Sequence, residues 1–378
     1  MRTKLVIFFL YSYICPYNLY HMRYYLTILL TFLSIASFAR EPLREVYSLN
    51  NDWRFFYADE PTVDRAGYVT LPHTWNNDIF SEGREFRYAS ANYVREVYIP
   101  ADMSGKRLFL RFGGVQSVAN IFVNGEHIGE HRGGYTAFTF EITEKVNFDA
   151  TNLIMVVVSN SNRSDVLPTS TELNPTGGIY REVELLVTER NIVTPLYYSS
   201  DGVQVVQQQV DKHQASGVVR VRLSTPDTEH PVVNLRIVAP DGYEAFYKSV
   251  RVAKAEQRRT LDIEYSIHNP QLWSPSEPNL YSVEVCVEHN HRVEDMVVVQ
   301  TGFRKVSINA DNRLCINDKV VEVRGVNMAH DRQGAGMAIT RSHMDEDLAA
   351  VASLGANALR SLTGPHHPYI YDECDRRG

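Results

Sequence analysis

From about residue 44 to residue 190 the chain is a series of short apolar stretches broken by turn residues. In Arg107–Phe112, Leu108, Leu110 and Phe112 alternate with Arg107, Phe109 and Arg111. A period of two is what a strand with one face in a core requires. Ile121-Phe122-Val123, then Asn124-Gly125, then His127-Ile128 reads as a hairpin, because Asn-Gly accepts the positive φ angles of a type I′ turn. Phe138–Phe140, Leu153–Val158 and Val183–Val187 continue the series. No long amphipathic helical pattern interrupts it, so a β-sandwich of jelly-roll type is predicted over residues 40–192. A second series follows over 193–303, with candidate strands at Val203–Val205, Val219–Leu223, Leu235–Ile237, Leu261–Tyr265 and Tyr281–Val285. Its size and strand number predict an immunoglobulin-like sandwich, without the Cys…Trp…Cys pattern of antibody domains.

After Gly302-Phe303-Arg304 the pattern changes. A hairpin turning at Asn317-Asp318 leads into a predicted strand, Val320–Asn327, with apolar residues on both faces and a polar tip. Ser342-His343-Met344-Asp345 has the spacing of a capping box, with Met344, Leu348, Val351 and Leu354 on one helical face and Gly355 as the terminating residue. A second strand, Ala356–Arg360, follows and ends in a charge. Strand–helix–strand makes a βαβ unit, so residues 304–378 read as the opening of a (β/α)₈ barrel with two of its eight strands. The fold class expected is therefore mainly β: two sandwiches, then the first βα units of an incomplete barrel. Barrel chemistry takes place at the C-terminal ends of the strands, which singles out Asn327 and Arg360.

The 378 residues have room for two or three domains, and 44% hydrophobic and 22% charged residues are ordinary for a globular chain. A formal net charge of -7 argues against nucleic acid or an anionic membrane as partner. Met22-Arg23, the apolar run Leu26–Ile35 and Ser37-Phe38-Ala39 form a secretory signal pattern with cleavage after Ala39. The expectation is a signal peptide over 1–39, a true start at Met22, and export to the periplasm or beyond. The run is too short for a permanent span. Cys286, Cys315 and Cys374 are widely spaced and odd in number, which predicts free thiols in place of a disulfide framework or a zinc site. Trp53 and Trp75 sit among apolar neighbours and are expected in a core, although aromatic rings of this kind also stack on sugars.

Several local motifs then fall into one order. Leu71-Pro72-His73-Thr74-Trp75-Asn76, Arg111-Phe112-Gly113-Gly114, His131-Arg132-Gly133-Gly134-Tyr135 and Gly177-Gly178-Ile179-Tyr180-Arg181-Glu182 lie in the first region. Leu272-Trp273-Ser274-Pro275 and Gly302-Phe303-Arg304 lie in the second, and Gly325-Val326-Asn327 with Gly355-Ala356-Asn357-Ala358-Leu359-Arg360 in the third. In order and spacing the chain resembles the glycoside hydrolase family 2 enzymes, the β-galactosidase group, over nearly all of its mature length. The resemblance implies hydrolysis of terminal β-linked sugars with retention, by two Glu carboxylates about 5–5.5 Å apart. In the family both the acid/base and the nucleophile come from later barrel strands, so they are expected beyond Gly378. No catalytic residue is therefore named among these 378 residues, and no glycosidase activity is expected of them alone.

The resemblance also suggests substrate contacts. Arg360 matches the family's second-strand arginine, which could fix a catalytic carboxylate or serve as a structural ion pair. Asn327 could orient a hydroxyl or cap its loop. Asp165, in Ser164–Pro168, matches a loop aspartate that reaches the barrel mouth, or else starts a turn before Pro168. Relatives have Arg-His after the Asn327 position and a His three residues after the Arg360 position. This chain has Met328-Ala329 and Thr363 there, with His330, His366 and His367 nearby as candidate substitutes. These histidines lack metal-ligand spacing and are expected as exposed loop residues. No organic cofactor is evident; Na⁺ or Mg²⁺ are the ions the resemblance implies. The partner expected is an oligosaccharide or other β-glycoside. The reading from another class is a non-catalytic carbohydrate-binding protein with two sandwiches.

Overall fold

The computed structural model describes residues 43–59, 66–77, 85–167, 169, 176–226, 228–362 and 364–378. The signal pattern, Thr363 and Pro168 lie outside the described residues. Strands dominate, as the alternation predicts.

The first sandwich pairs a four-stranded sheet with a six-stranded one. The first runs Glu45–Ser48, Val183–Thr188, Arg107–Phe112, Phe138–Glu141. The second runs Gly67–Val69, Trp53–Tyr57, Ser90–Ile99, Ala150–Ser159, Val118–Val123, Glu126–Arg132. Inward residues of both, among them Trp53, Tyr93, Leu108, Leu110, Phe112, Ile121 and Val156, are sealed from solvent. Trp53 and Trp75 belong to this core, and each indole N–H finds a carbonyl: Trp53 Nε1 donates to Leu49 O at 2.5 Å and Trp75 Nε1 to Arg87 O at 3.0 Å. The expected Asn124-Gly125 turn joins Val118–Val123 to Glu126–Arg132, with φ of 52° and 84°.

The second sandwich has two four-stranded sheets. In one, Gln214–Ser224 pairs with Ile192–Val193, Val203–Val210 and Thr260–His268; the other runs Glu244–Arg251, Val232–Val238, Tyr281–His289, Arg292–Thr301. Along Gln214–Ser224 burial alternates residue by residue, so Ala215, Val219, Val221 and Leu223 face the core. Burying each Val or Leu of this set stabilises by about 1.5–3 kcal/mol, which makes the register hard to slip. The two sandwiches are joined by a buried ion pair. Arg44 Nε and Nη2 donate to the fully buried Asp295 carboxylate at 2.6 and 2.7 Å, and Val193 N donates to the same carboxylate at 2.7 Å.

The barrel segment differs from its predicted boundaries in three places. The stretch 320–327 is not one strand. Lys319–Val320 closes a small antiparallel hairpin with Leu314–Ile316, and the parallel strand begins only at Gly325–Met328. Asn357 explains the break: its Nδ2 donates to Glu322 O at 2.9 Å and its Oδ1 accepts from Arg324 N at 2.8 Å, so these backbone groups are diverted from a ladder. The helix α1, Arg341–Ser353, starts earlier than Ser342 suggested. Thr340 is its N-cap, and His343 completes the reciprocal box by accepting from Thr340 N at 3.3 Å. Met344 and Leu348 are buried as expected, whereas Leu354 is 74% exposed. Gly355 holds φ +71° just past the helix, the left-handed conformation its position requires. The second parallel strand, Ala358–Ser361, is followed by the helix α2, Pro368–Arg377, with Pro368 at its first turn. Gly378 caps α2: its N–H donates to Cys374 O at 3.1 Å, and it packs against Pro275 of the second sandwich. The segment up to Gly378 thus contains two parallel strands, each followed by a helix, and the strands expected to carry the two catalytic carboxylates are not among the described elements.

No disulfide joins the described cysteines: Cys315 is buried, Cys286 and Cys374 partly so. No described helix is long and apolar enough to cross a membrane.

Candidate functional site

The parallel ladder pairs Gly325 with Ala358, Val326 with Leu359, Asn327 with Arg360 and Met328 with Ser361. Asn327 and Arg360 are therefore direct neighbours at the C-terminal end of the two strands. Both are exposed. Alternation along a strand requires that two residues in register point to the same face. A guanidinium and a carboxamide thus share one face at the end of the sheet where barrel enzymes bind substrate.

The loops that follow these strands are roofed by the first sandwich. Arg181, only 4% exposed, donates from Nη2 to Pro365 O at 2.9 Å. His367 Nε2 lies 2.8 and 2.9 Å from the two oxygens of Glu182. Gly364 sits so close to Tyr135 that a Cβ would lie 2.7 Å from the ring, and it holds φ +158°. Gly336, in the loop after the first strand, packs on Thr74 and Asn76. The roof is therefore made from the motifs around His73–Asn76, Gly134-Tyr135 and Tyr180–Glu182.

Beneath it, His330 and His366 form a buried pair, contrary to the exposed loop positions expected for them. They are 4% and 2% exposed. His366 Nε2 is 3.1 Å from Met328 O, a carbonyl that can only accept, so this nitrogen carries the proton. Its Nδ1 is then an acceptor, and the His330 Nδ1–H, 3.1 Å away, donates to it. The chain of donors is His330 to His366 to the Met328 carbonyl, with both rings neutral. Burial first, then the positive Arg181 and the neighbouring His366 and His367, push His330 down to about 3. Burial also lowers His366, against the Met328 hydrogen bond that raises it. For Glu182, burial opposes the charge, but the His367 hydrogen bond and the charges of His367 and Arg181 outweigh it and hold the carboxyl at about 2. The carboxylate is ionised in this junction while the two buried imidazoles stay neutral.

Asp165 is placed apart from the His pair. Its exposed carboxylate pairs with Arg132 and with Arg163, whose Nε donates at 3.0 Å, and these arginines hold it at about 2. Its loop belongs to the same end of the sandwich as the roof, since Gly134 N donates to Leu167 O at 3.0 Å. Sequence reading assigned no role to Arg181 and Glu182, although the Gly177–Glu182 motif contains both. What they do is visible only once a loop 180 residues away is folded onto them.

Three family models match the chain in succession: the sugar binding domain of glycosyl hydrolases family 2 at residues 68–189, the glycosyl hydrolases family 2 domain at 202–304, and the family's TIM barrel domain at 306–378. The chain belongs to glycosyl hydrolases family 2. It is 34% identical to a beta-glucuronidase of Bacteroides fragilis over 92% of this chain and 50% of that protein. It is 28% identical to a beta-galactosidase of Thermoanaerobacter pseudethanolicus over 89% of this chain and 46% of that one. The solved structure of Bacteroides uniformis beta-glucuronidase 2, covalently bound to cyclophellitol-6-carboxylate aziridine, superposes with a TM-score of 0.81 at 27% identity, covering 89% of this chain and 41% of the other. The chain spans about half the length of the relatives it matches. The barrel domain is present in part, as two parallel strands and two helices.

Proposed function

We propose that these residues are the sugar-binding, immunoglobulin-like and first barrel segments of an exported glycosidase that cleaves terminal β-linked sugars of the galactoside or glucuronide kind. The observation that carries this reading is the register of Asn327 with Arg360 at the C-terminal strand ends, beside loops that the first sandwich roofs. Arg360 presents paired N–H donors, which suit a carboxylate, either that of a uronic acid or that of a catalytic Glu contributed by another barrel strand. Asn327 offers both a donor and an acceptor to a hydroxyl. Asp165, kept ionised by two arginines on the same rim, is the third proposed contact. The B. uniformis relative is covalently bound to cyclophellitol-6-carboxylate aziridine, which supports a mechanism with a carboxylate nucleophile and net retention. The signal pattern at Met22–Ala39 supports placing the protein in the periplasm or outside the cell.

Binding of methyl β-D-galactoside and methyl β-D-glucuronide, followed by saturation-transfer NMR, tests this. Arg360→Ala should abolish the sugar signal. Because Arg360 is exposed, stability should stay within about 0.5 kcal/mol. Sugar binding unchanged in Arg360→Ala would refute the assignment of the site.

A further inference from the structure

On the second sandwich, beside the linker from the first, three ligating side chains converge, two of them from the arms of one hairpin. Glu229 comes from the loop before Val232–Val238, His289 from the end of Tyr281–His289, and Glu294 from Arg292–Thr301. One ligand atom from each lies within 4.8 Å of the others. His289 Nδ1 is 3.2 Å from a Glu229 oxygen and 3.4 Å from a Glu294 oxygen. A single N–H donates well to one oxygen, so this nitrogen cannot serve two carboxylates equally. Arg190 gives Glu229 only a loose ion pair, at 3.9 Å and from a side chain 64% exposed.

The fourth wall is Asn191, on the linker between the sandwiches and fully buried. Its Nδ2 donates to both carboxylates, at 2.9 Å for Glu294. Its Oδ1, among the described residues, has no hydrogen-bond partner. A half-turn of the carboxamide brings that orphaned oxygen onto the two carboxylates. Two anions and a carbonyl oxygen would repel one another there, unless a cation lies between them.

We propose that Glu229, His289 and Glu294, with Asn191 Oδ1 as fourth ligand, form a structural site for a borderline divalent cation of the Zn²⁺ class. Metal–ligand distances near 2.0–2.1 Å in a tetrahedron imply ligand–ligand edges of about 3.3 Å. The observed 3.2 and 3.4 Å separations from His289 match that edge. One imidazole and a small oxygen set suit Zn²⁺ or Co²⁺ better than Ca²⁺, which takes six to eight oxygens at longer range. Bound there, the ion would replace the His289 and Asn191 contacts to the two carboxylates with four metal bonds and tie the linker to the second sandwich.

The test uses the full 378-residue chain. Titration with ZnCl₂ followed by metal analysis after gel filtration should give one equivalent per chain. Co²⁺ should give the intense visible bands of a tetrahedral imidazole–carboxylate site, and Zn²⁺ should displace them. Binding should weaken about tenfold or more in His289→Gln and in Glu294→Gln, and survive in His366→Gln. Each variant is checked by far-UV circular dichroism, and the Co²⁺ spectrum of the unsubstituted chain decides the matter even if a variant fails to fold. No saturable uptake, weak octahedral Co²⁺ bands, or binding that survives His289→Gln would overturn the proposal. Loss in His366→Gln alone would move the site to the barrel junction and overturn it equally.

Discussion

Lowering the pH should weaken this protein through histidines that are buried neutral, and His330 gives the size of the effect. Its folded value of about 3 lies below the ordinary 6.5 because burial and the nearby Arg181 disfavour the charged ring. When the folded value is depressed, the unfolded chain takes up the proton first. Stability is therefore full above about pH 7.5, falls as the pH drops through 6.5, and stops falling near 3. At pH 5 the unfolded ring is almost fully charged and the folded ring almost fully neutral, which costs about 2 kcal/mol relative to pH 8. His73, held down at about 4 by burial alone, adds a similar amount by the same arithmetic. A loss of about 4 kcal/mol is a large share of a typical domain's 5–15 kcal/mol. The perturbation is His330→Gln, which keeps a hydrogen-bond donor toward His366 and cannot titrate. Urea midpoints followed by tryptophan fluorescence at pH 8, 6.5 and 5 provide the measurement. The variant should lose about 2 kcal/mol less than the parent on going from pH 8 to pH 5. An identical acid drop in parent and variant, or a parent more stable at pH 5 than at pH 8, would refute the reasoning.

Other substitutions probe the joints between the segments. Arg44→Met leaves the fully buried Asp295 carboxylate without its guanidinium and should cost about 3–5 kcal/mol in urea unfolding; a loss under about 1 kcal/mol would show that the pair is not an effective lock. Arg181→Met removes the bond to the Pro365 carbonyl and should loosen the barrel segment by about 2 kcal/mol, seen as roughly 30-fold faster tryptic cleavage beyond residue 304. Gly177→Ala places a Cβ 2.1 Å from the Trp75 ring and should lower stability by about 1–3 kcal/mol, with a thermal scan as the check.

Local chemistry carried a large part of the outcome in the sequence. Two-residue alternation is a backbone property, so Arg107–Phe112 and Gln214–Ser224 declared their inward faces before any partner strand was known. Asn124-Gly125 specified its turn because those two residues tolerate positive φ. The polar tips Asn327 and Arg360 were readable for the same reason: strand ends are local, and parallel pairing brings two such ends together. What the folded chain alone decided depends on residues distant in sequence. Whether His330 and His366 face water is settled by the Arg181–Pro365 and Glu182–His367 contacts that press the barrel loops against the sandwich. The interruption of the predicted strand at 321–324 comes from the Asn357 side chain, more than thirty residues on. The meeting of Glu229, His289 and Glu294 follows from the pairing of Val232–Val238, Tyr281–His289 and Arg292–Thr301 in one sheet, and Asn191 joins them from the linker. Period and turn chemistry act between neighbours along the chain, while burial and convergence of charge are set by which surfaces exclude water from each other.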